Sequence, residues 1–406
     1  MTYLDHFECS ECNERMPANV PQSNTCKDGG LLYARYNLNK LKREVSIEQI
    51  AQGPASMWRY SPLLPVDDVG NAVTLGEGWT PLYQAERLAR EIGAGDLLIK
   101  NEGMCPTGSF KDRGAAVTLS RYRELGIHDV ILNSSGNAGG AFSLYAARAG
   151  MNCVSILPTD SQTSSKKQSS LAGGERYLLS ADRWHEAGEI VDELAKRHGW
   201  FNIGTMREPF RTEGKKTMGY EIAEQLGWQM PDVIVYPAGG GTGAIAIWKA
   251  LQELVDLGWV EGTLPRMLVT QYEGCAPIVK AFNDGLEECE AWGEINIPPG
   301  GLKAPAPAAG KQILRLMRET NGGGIAVSEP EALESVSQLA ALEGVFACPE
   351  AGTTLAGLKK ALNSGLVGKE ERIVLVSTGS GLKSVPTLPE ADIPQIESAD
   401  DIIAGD

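Results

Sequence analysis

The sequence has 406 residues, 42% of them apolar and 22% charged, a composition typical of a globular protein with a sizeable core. This length predicts two domains with a short appendage rather than one domain. The formal net charge is −15. An acidic surface of this kind excludes nucleic acid and anionic membranes as expected partners, because binding to either one needs a basic surface.

The chain shows neither a membrane span nor a targeting signal. No apolar run approaches the roughly 18–20 residues of a spanning helix, and the start, MTYLDHFECSEC, lacks the basic and apolar regions of a signal peptide. We therefore expect a cytoplasmic protein. The eight cysteines are scattered through a long chain, which favours reduced thiols over a disulfide framework.

The N-terminal cysteines form a pattern that is similar to an incomplete zinc knuckle. Cys9 and Cys12 make a C-x-x-C pair and Cys26 follows, but the fourth thiol of a zinc ribbon is missing. His6 or Asp28 could replace it as a ligand. A knuckle that has lost its metal is the plainer interpretation, so we expect no metal and keep the three cysteines only as candidates.

From GEGWTPL onward, strand-like and helix-like segments alternate. Short apolar runs lie between amphipathic helical segments, in the order VILNSS, CVSILP, DVIVYP, RMLVTQY and RIVLVST. This alternation predicts a parallel sheet with helices on both faces. Turns rich in glycine and serine end three of the strands, and ligands of such sheets bind beyond the carboxyl ends of the strands.

The turn PAGGGTG follows a predicted strand and begins a predicted helix, so its amides could hold a phosphate. It also matches the dinucleotide pattern G-x-G-x-x-A, with Glu273 near the end of the next strand as a candidate ribose ligand. A tight turn without a ligand is the remaining interpretation. The candidate residues are Gly239, Gly240, Gly241, Thr242 and Gly243.

Two further turns offer polar groups. In NSSGNAGG, Ser134 and Ser135 supply hydroxyls beside a helix start, where an anion would fit. Asn137 in the same turn could cap the helix or bond to a ligand hydroxyl. In STGSG, the hydroxyl of Thr378 and those of its neighbours either face a ligand or form hydrogen bonds with the backbone of their own turn.

Lys111 in TGSFKDRG lies where a turn gives way to a predicted helix. Ser109 and Asp112 fit an S-x-x-D cap, which would make Lys111 an ordinary residue of a first helical turn. The positive helix end and a partly desolvated site beside Phe110 would instead lower the pKa of its amine. A neutral amine is what Schiff-base chemistry requires.

Together these motifs resemble the threonine synthase branch of the fold-type II pyridoxal-phosphate enzymes. The matching segments, in the order of that family, are GEGWTPL, TGSFKDRG, SSGNAGGAFSLYAARAG, FRTEGKKTMGYEIAEQLGW, PAGGGTGAIAIWKA, CPEAGTTLAGLKKAL and STGSGLK. The resemblance implies an α/β fold similar to the tryptophan synthase β chain. Two open, largely parallel, twisted sheets would be flanked by helices, with the cofactor in the cleft between two domains.

The resemblance also implies a domain division. An N-terminal extension of residues 1–70 would precede a large cofactor-binding domain made of 71–103 and 204–385. Residues 104–203 would form a small domain. The acidic tail, 386–406, would follow, and we expect it to be solvated and mobile.

The family pattern implies roles for the candidate residues. Lys111 resembles the lysine that binds pyridoxal 5′-phosphate as a Schiff base, and Asn137 the residue that bonds to the ring hydroxyl. Gly239–Gly243 look like the loop that holds the cofactor phosphate, which replaces the dinucleotide interpretation. Thr378 resembles the hydroxyl residue that faces the pyridine nitrogen. A hydroxyl cannot keep that nitrogen protonated as an aspartate would, so elimination and replacement chemistry are favoured.

The implied activity is that of a carbon–oxygen lyase converting O-phospho-L-homoserine and water to L-threonine and phosphate, in a homodimer. Ser134 and Ser135 would hold the substrate carboxylate or phosphate. Arg211, Lys215 and Lys216 of FRTEGKK lie where the family contacts the substrate phosphate, and arginine is the better bidentate partner. An exposed basic helical turn is the alternative for these three.

Two departures from the family leave other substrates open. IGTMREPF carries Thr205 and Arg207 where an Asn-Ser pair is common, and SSGNAGG differs from the usual S-T-G-N-T. A serine or threonine dehydratase-type ammonia-lyase, or a phosphoserine β-replacement enzyme, are the alternatives. A dinucleotide-dependent oxidoreductase and a non-catalytic binding module are more distant ones.

Overall fold

A computed structural model describes residues 2–22, 26, 27 and 30–389, and its N-terminal part is a small sheet followed by two short helices. The elements are β1 (Leu4–Cys9), β2 (Arg15–Pro17), β3 (Leu32–Tyr36), α1 (Leu38–Glu44) and α2 (Ile47–Ala51). Strand β1 pairs antiparallel with both β2 and β3. From position 390 onward, the acidic tail predicted at 386–406 lies outside the described residues.

The chain next forms two strands of a larger sheet and then a complete four-stranded sheet. The first group is β4 (Leu82–Gln84), α3 (Glu86–Ile92), β5 (Asp96–Asn101) and α4 (Lys111–Glu124). The second group is β6 (Asp129–Asn133), α5 (Asn137–Ala149), β7 (Asn152–Pro158), α6 (Thr163–Leu171), β8 (Arg176–Leu179), α7 (Ala187–His198) and β9 (Phe201–Asn202). The four strands are parallel, in the order β8-β7-β6-β9.

The chain then returns to complete the larger sheet. Its elements are α8 (Phe210–Gln225), β10 (Val233–Pro237), α9 (Thr242–Leu257), β11 (Arg266–Tyr272), α10 (Pro277–Asn283), α11 (Gly310–Glu319), β12 (Gly323–Val327), α12 (Glu329–Glu343), α13 (Pro349–Asn363) and β13 (Arg372–Ser377). The order is β12-β11-β10-β13-β5-β4, parallel except for the antiparallel pair of β4 and β5. Every residue of β10 is buried, as expected for a central strand covered by helices on both faces.

These two sheets confirm the predicted α/β fold. The predicted runs VILNSS, CVSILP, DVIVYP, RMLVTQY and RIVLVST contain β6, β7, β10, β11 and β13. Strand β5 was not predicted from the sequence, although its middle residues are buried, and neither were β8, whose residues are largely exposed, and β12, which begins with two glycines. The domain boundaries stay a prediction. None of the described helices is long and apolar enough to cross a membrane.

A buried cluster of charges holds α4 against β5 and α8. Arg113 on α4 makes ion pairs with Glu102 at 2.7 Å and with Glu221 at 2.5 Å. Lys100 on β5 contacts the same Glu221 at 2.7 Å, and all four side chains are fully buried. Burial alone would raise the pKa of Glu221, but Arg113 and Lys100 outweigh it and hold that pKa well below its usual range. The cluster thereby fixes the helix whose first residue is Lys111.

Candidate active site

A cavity of about 590 Å³ lies between the two sheets, at the carboxyl ends of their parallel strands. The turn after β6 forms one wall and the turn after β10 another, while the start of α8 and residues 301–308 close the remaining sides. The predicted site residues that line it are Lys111, Ser134, Ser135, Asn137, Arg211, Lys215, Gly240 and Thr242. An adjoining recess is lined by Lys111, Asn137, Gly239, Gly240, Gly241, Thr242, Gly243 and Thr378. The structure thus brings all these candidates together.

Lys111 is the first residue of α4 and extends into both spaces. Its Nζ lies 4.0 Å from the centroid of the Phe110 ring. Desolvation lowers the pKa of this amine to about 8; the nearby Arg211 cation acts in the same direction and the Glu350 carboxylate opposes it. An amine with this pKa is partly neutral near pH 7, as a nucleophile or a general base must be.

The backbone before Lys111 is attached to the turn after β13. The Phe110 N–H donates a hydrogen bond of 3.2 Å to the carbonyl oxygen of Thr378, and Ser109 forms a bridge with Gly379. The larger sheet therefore sets the direction in which Lys111 leaves the backbone.

The expectation that Ser109 caps α4 is wrong. Its hydroxyl is buried and has no hydrogen-bond partner among the described residues, and Phe110 occupies the N-cap position without a side-chain cap. Asp112 instead accepts hydrogen bonds from the Thr107 N–H, at 2.7 Å, and from the Thr107 hydroxyl. This pair, rather than a serine cap, closes the turn that precedes Lys111.

The loop Gly239–Gly243 connects β10 with α9 and has the geometry of an anion site. Gly241 is the N-cap of α9 with a φ of 78°, in the left-handed region. The first amides of a helix have no partner within the helix and lie at its positive end, where they bind phosphate. A Cβ at Gly239 would lie 2.2 Å from the Gly301 carbonyl oxygen, so only glycine fits there.

The acid expected of a dinucleotide site is not at this cavity. Glu273 follows β11, is exposed, and lies 3.6 Å from the Lys360 ammonium. It does not line the cavity or the recess beside the glycine loop. The loop therefore lacks the ribose-binding partner that the dinucleotide interpretation requires.

Asn137 and Thr378 present polar groups to the recess from opposite sheets. Asn137 is the first residue of α5, and its buried Oδ1 has no hydrogen-bond partner among the described residues. Gly136, not Asn137, occupies the N-cap position, so the capping alternative is wrong. Thr378 directly follows β13 and is buried at the recess. Buried polar groups are normally hydrogen-bonded, so the Asn137 amide oxygen is available to a polar ligand in the recess.

Two predicted phosphate contacts on α8 are buried rather than exposed. The Arg211 guanidinium stacks on the Phe142 ring at 4.1 Å and donates to the Thr205 hydroxyl at 3.1 Å. The Lys215 ammonium donates to the Thr242 hydroxyl at 3.0 Å, at the glycine loop. Burial lowers the pKa of Arg211 to about 10 and that of Lys215 well below its usual value. The exposed basic turn of the alternative interpretation is therefore wrong.

Lys216 is also buried, but it does not line the cavity. Its Nζ lies 2.7 Å from Glu213 and 3.0 Å from Glu253, in a network that joins α8 to α9. Burial lowers the pKa of Lys216, and both carboxylates oppose that shift. We therefore assign Lys216 a structural role and not the phosphate contact expected from the sequence.

The two serines after β6 differ in their surroundings. The Ser134 hydroxyl accepts hydrogen bonds from the N–H groups of Gly139 at 2.9 Å and Gly136 at 3.3 Å. It therefore organises the turn itself. Ser135 lines the cavity beside it. Of the two, Ser135 is better placed to meet a substrate.

Sequence reasoning missed Glu350 at the recess. This residue lies in the first turn of α13, and its Oε1 accepts a hydrogen bond of 2.8 Å from the Gly301 N–H. Its Oε2 is buried without a partner among the described residues. The motif CPEAGTT contains it, but an acid in a first helical turn also fits the helix dipole and gives no further signal.

The residues at this site fit pyridoxal phosphate. The amides of the glycine loop and the nearby Lys215 suit a phosphate, and Lys111 supplies an amine with a lowered pKa. The amide of Asn137 and the hydroxyl of Thr378 supply polar groups for the atoms of a ring. This set matches the cofactor at both its phosphate and its ring.

Comparison with known proteins agrees with this fit. Residues 73–379 match the family described as pyridoxal-phosphate dependent enzyme. The chain is 36% identical to the threonine synthase of Methanocaldococcus jannaschii over 88% of both chains. It is 34% identical to the threonine synthase of Methanosarcina acetivorans over 97% of this chain and 98% of the relative.

Solved structures share the fold at lower identity. Maize serine racemase superposes with a TM-score of 0.61 and 19% identity, covering 74% of this chain and 88% of the racemase. Threonine deaminase from Solanum lycopersicum gives a TM-score of 0.61 and 21% identity, over 74% of this chain and 79% of the deaminase. The protein described here thus belongs to the pyridoxal-phosphate-dependent enzymes of fold type II, within their threonine synthase family.

Proposed function

We propose that this enzyme converts O-phospho-L-homoserine and water to L-threonine and phosphate. The observation that carries the proposal is a pair of buried cations, Arg211 and Lys215, at one cavity. The cofactor phosphate needs one anion site, which the glycine loop and Lys215 provide. Arg211, whose Nε lies 3.4 Å from the buried Glu208 carboxylate, also lines the cavity and would meet a second anion there, which a phosphorylated substrate supplies. The two relatives named threonine synthase support this assignment.

Pyridoxal phosphate would be held by residues of both sheets. The loop Gly239–Gly243 would bind its phosphate, Asn137 its ring hydroxyl and Thr378 its ring nitrogen. When bound, the cofactor supplies an electron sink for negative charge that develops next to the substrate amino group. Because Thr378 is a hydroxyl and not a carboxylate, that sink is weak, which favours elimination and replacement over transamination.

Lys111 would move the protons of the reaction. With a pKa of about 8, its amine is partly neutral near pH 7 and can accept the proton of the α-carbon. In the overall change, the bond between the γ-carbon and the phosphate oxygen breaks, and the oxygen of water joins the β-carbon. In the same change the β-carbon loses a proton and the γ-carbon gains one, and Lys111 would carry these protons.

The remaining contacts would orient the substrate. Arg211 would neutralise the leaving phosphate from the wall formed by α8. Ser135 and the first amides of α5 would bind the α-carboxylate, because the start of a helix favours an anion. The substrate would then have its phosphate at α8 and its carboxylate at the start of α5, two walls of the cavity that Lys111 also lines.

A substrate screen tests this proposal. The holoenzyme is given phosphohomoserine, phosphoserine, serine and threonine, with phosphate and oxo acids measured in each reaction. We expect phosphate and threonine in equal amounts from phosphohomoserine. If phosphohomoserine releases no phosphate while serine or threonine gives an oxo acid, the enzyme is a dehydratase. Phosphate from phosphoserine alone, with a sulfur nucleophile, would indicate β-replacement.

The cytoplasmic location and the homodimer are also part of this proposal. A cytoplasmic location suits the reaction, because its substrate is a phosphorylated amino acid. The net charge of −15 supports a related point, that nucleic acid is not a partner. Light scattering of the holoenzyme, with a mass of twice 43.5 kDa as the expected result, tests the homodimer.

A further inference from the structure

Three cysteines of the N-terminal sheet form a cluster that the proposed reaction does not use. Cys9 ends β1, Cys12 lies in the turn that follows, and Cys26 precedes β3. Their Sγ atoms all lie within 4.8 Å of one another, and those of Cys12 and Cys26 are 3.7 Å apart. The sequence has no fourth thiol at this position, but the fold brings these three to one point.

The spacing of the sulfur atoms is that of ligands around one tetrahedral ion. With zinc–sulfur bonds of about 2.3 Å, two sulfur ligands lie about 3.8 Å apart. The 3.7 Å between Cys12 and Cys26 agrees with that value, whereas a disulfide bond is about 2.05 Å long. Soft thiolate ligands in this geometry select zinc over magnesium or calcium.

The backbone of the turn supports thiolates. The Glu11 N–H donates to the Cys9 Sγ at 3.4 Å, and bonds of this kind orient and stabilise a metal-bound sulfur. Asn13 has a φ of 60°, which folds the turn back so that its N–H bonds to the Cys9 carbonyl at 3.2 Å. The turn is thus closed by the Asn13 N–H and directs the Glu11 N–H toward a sulfur atom of the cluster.

An oxygen ligand is available beside the thiols. A Glu14 carboxylate oxygen lies 3.4 Å from the Cys26 Sγ. Neighbouring oxygen and sulfur ligands of zinc lie about 3.5 Å apart. His6 is directed elsewhere, since its ring contacts Asp5 at 2.8 Å. Asp28, the other residue considered from the sequence, lies outside the described residues.

We propose that Cys9, Cys12 and Cys26 bind one zinc ion as thiolates, and that the Glu14 side chain, which now lies beside Cys26 only, turns toward the ion as the fourth ligand. Four protein ligands leave no open position, so the site is structural and takes no part in catalysis. The ion joins the turn after β1 to the segment before β3, which are distant in sequence but adjacent in the sheet.

The cluster is connected to the active-site cavity by two short routes. Next to Cys9, the Ser10 N–H donates to the Leu31 carbonyl at 2.8 Å, and Leu31 lines the cavity. Glu11 makes an ion pair of 3.0 Å with Lys311 on α11, and Ile313 on the same helix packs against the glycine loop. Zinc would therefore stiffen one wall of the cavity and the support of the phosphate loop.

Metal analysis of the full-length holoenzyme tests the site. After growth with added zinc, we expect one zinc per chain by mass spectrometry. The Cys12→Ser variant should contain almost none, because Cys12 is the exposed ligand and its replacement leaves the core intact. Cys289→Ser, which changes a half-buried cysteine outside the cluster, should keep one zinc. Wild-type protein without zinc, or zinc retained by Cys12→Ser, would overturn the proposal.

A second measurement does not depend on the folding of a variant. Metal-free wild-type holoenzyme is titrated with Co²⁺, which occupies zinc sites and gives strong long-wavelength bands when thiolates surround it tetrahedrally. We expect these bands to saturate at one cobalt per chain and to disappear when zinc is added. Absence of the bands, or their survival in excess zinc, contradicts the site. If no metal is bound and the protein has two free thiols fewer than its eight cysteines, two of the cysteines form a disulfide and the zinc site is ruled out.

Discussion

The lowered pKa of Lys111 can be tested through its two charged neighbours. An ordinary lysine with a pKa of 10.5 is about 0.03% neutral at pH 7, whereas a pKa of about 8 makes it about 10% neutral, roughly 300-fold more. The Arg211 cation lowers this pKa and the Glu350 carboxylate raises it. Arg211→Gln should therefore move the pKa of Lys111 upward, and Glu350→Gln should move it downward.

The assay is the rate at which the apoprotein takes up pyridoxal phosphate, followed by the yellow absorbance of the bound cofactor. Only the neutral amine reacts, so the rate should rise tenfold per pH unit and level off above about pH 8. The pH at which the rate reaches half its maximum reports the pKa of Lys111. Arg211→Gln should raise this midpoint, and Glu350→Gln should lower it. Lys111→Ala should abolish the absorbance.

The control is Arg207→Gln, which removes a cavity arginine that pairs with Asp192 at 2.8 Å. Arg207 does not contribute to the pKa shift of Lys111, so its removal should leave the midpoint unchanged. A midpoint near 10.5 in the wild type would refute the reasoning, as would shifts of Arg211→Gln and Glu350→Gln in the same direction.

Three further predictions address the loop, the cations and the buried charges. Gly239→Ala should weaken cofactor binding at least tenfold in equilibrium dialysis, whereas Gly293→Ala, which lies outside the cavity and the recess and where a Cβ meets no atom within 4 Å, should bind normally. Lys215→Met should also weaken cofactor binding, while Arg211→Gln should keep the cofactor and lower kcat/KM for phosphohomoserine about 10- to 100-fold. Glu221→Gln should cost about 3–5 kcal/mol of unfolding free energy in urea, because it leaves buried cations without their partner. Folding lowers the pKa of Glu221, so its charged form stabilises the fold fully above pH 4.5 and progressively less as the pH falls below that value. The difference in unfolding free energy between wild type and Glu221→Gln should shrink over the same pH range.

The main strands and the cavity turns could be predicted from the sequence because their signals are local. A buried β-branched run followed by glycines and then by an amphipathic helix defines a strand, a turn and a helix within about 20 residues. Gly239–Gly243 and Asn137 follow such runs, and both line the recess beside the cavity. The short strand β9 has only two residues and carries no comparable pattern.

The burial of the basic residues on α8 could not be predicted, because their partners are distant in sequence. Lys216 meets Glu253 from the next helix, and Lys215 meets Thr242 from the glycine loop. A helical turn containing three cations looks exposed until those partners are known. The Ser109 cap failed for a local reason, since Asp112 bonds to Thr107 and leaves the cap pattern unused.

The hydrogen bond between the Phe110 N–H and the Thr378 carbonyl affects the order in which the parts of the enzyme fold during synthesis. The small parallel sheet is contiguous, from β6 to β9, and can form on a nascent chain once residue 202 has left the ribosome. The site of Lys111 cannot form at that stage, because the last strand, β13, must first insert between β5 and β10. A chain stopped before β13 would contain every cavity residue named above except Thr378, and yet its lysine would have no fixed direction. Cofactor capture should therefore follow the completion of synthesis.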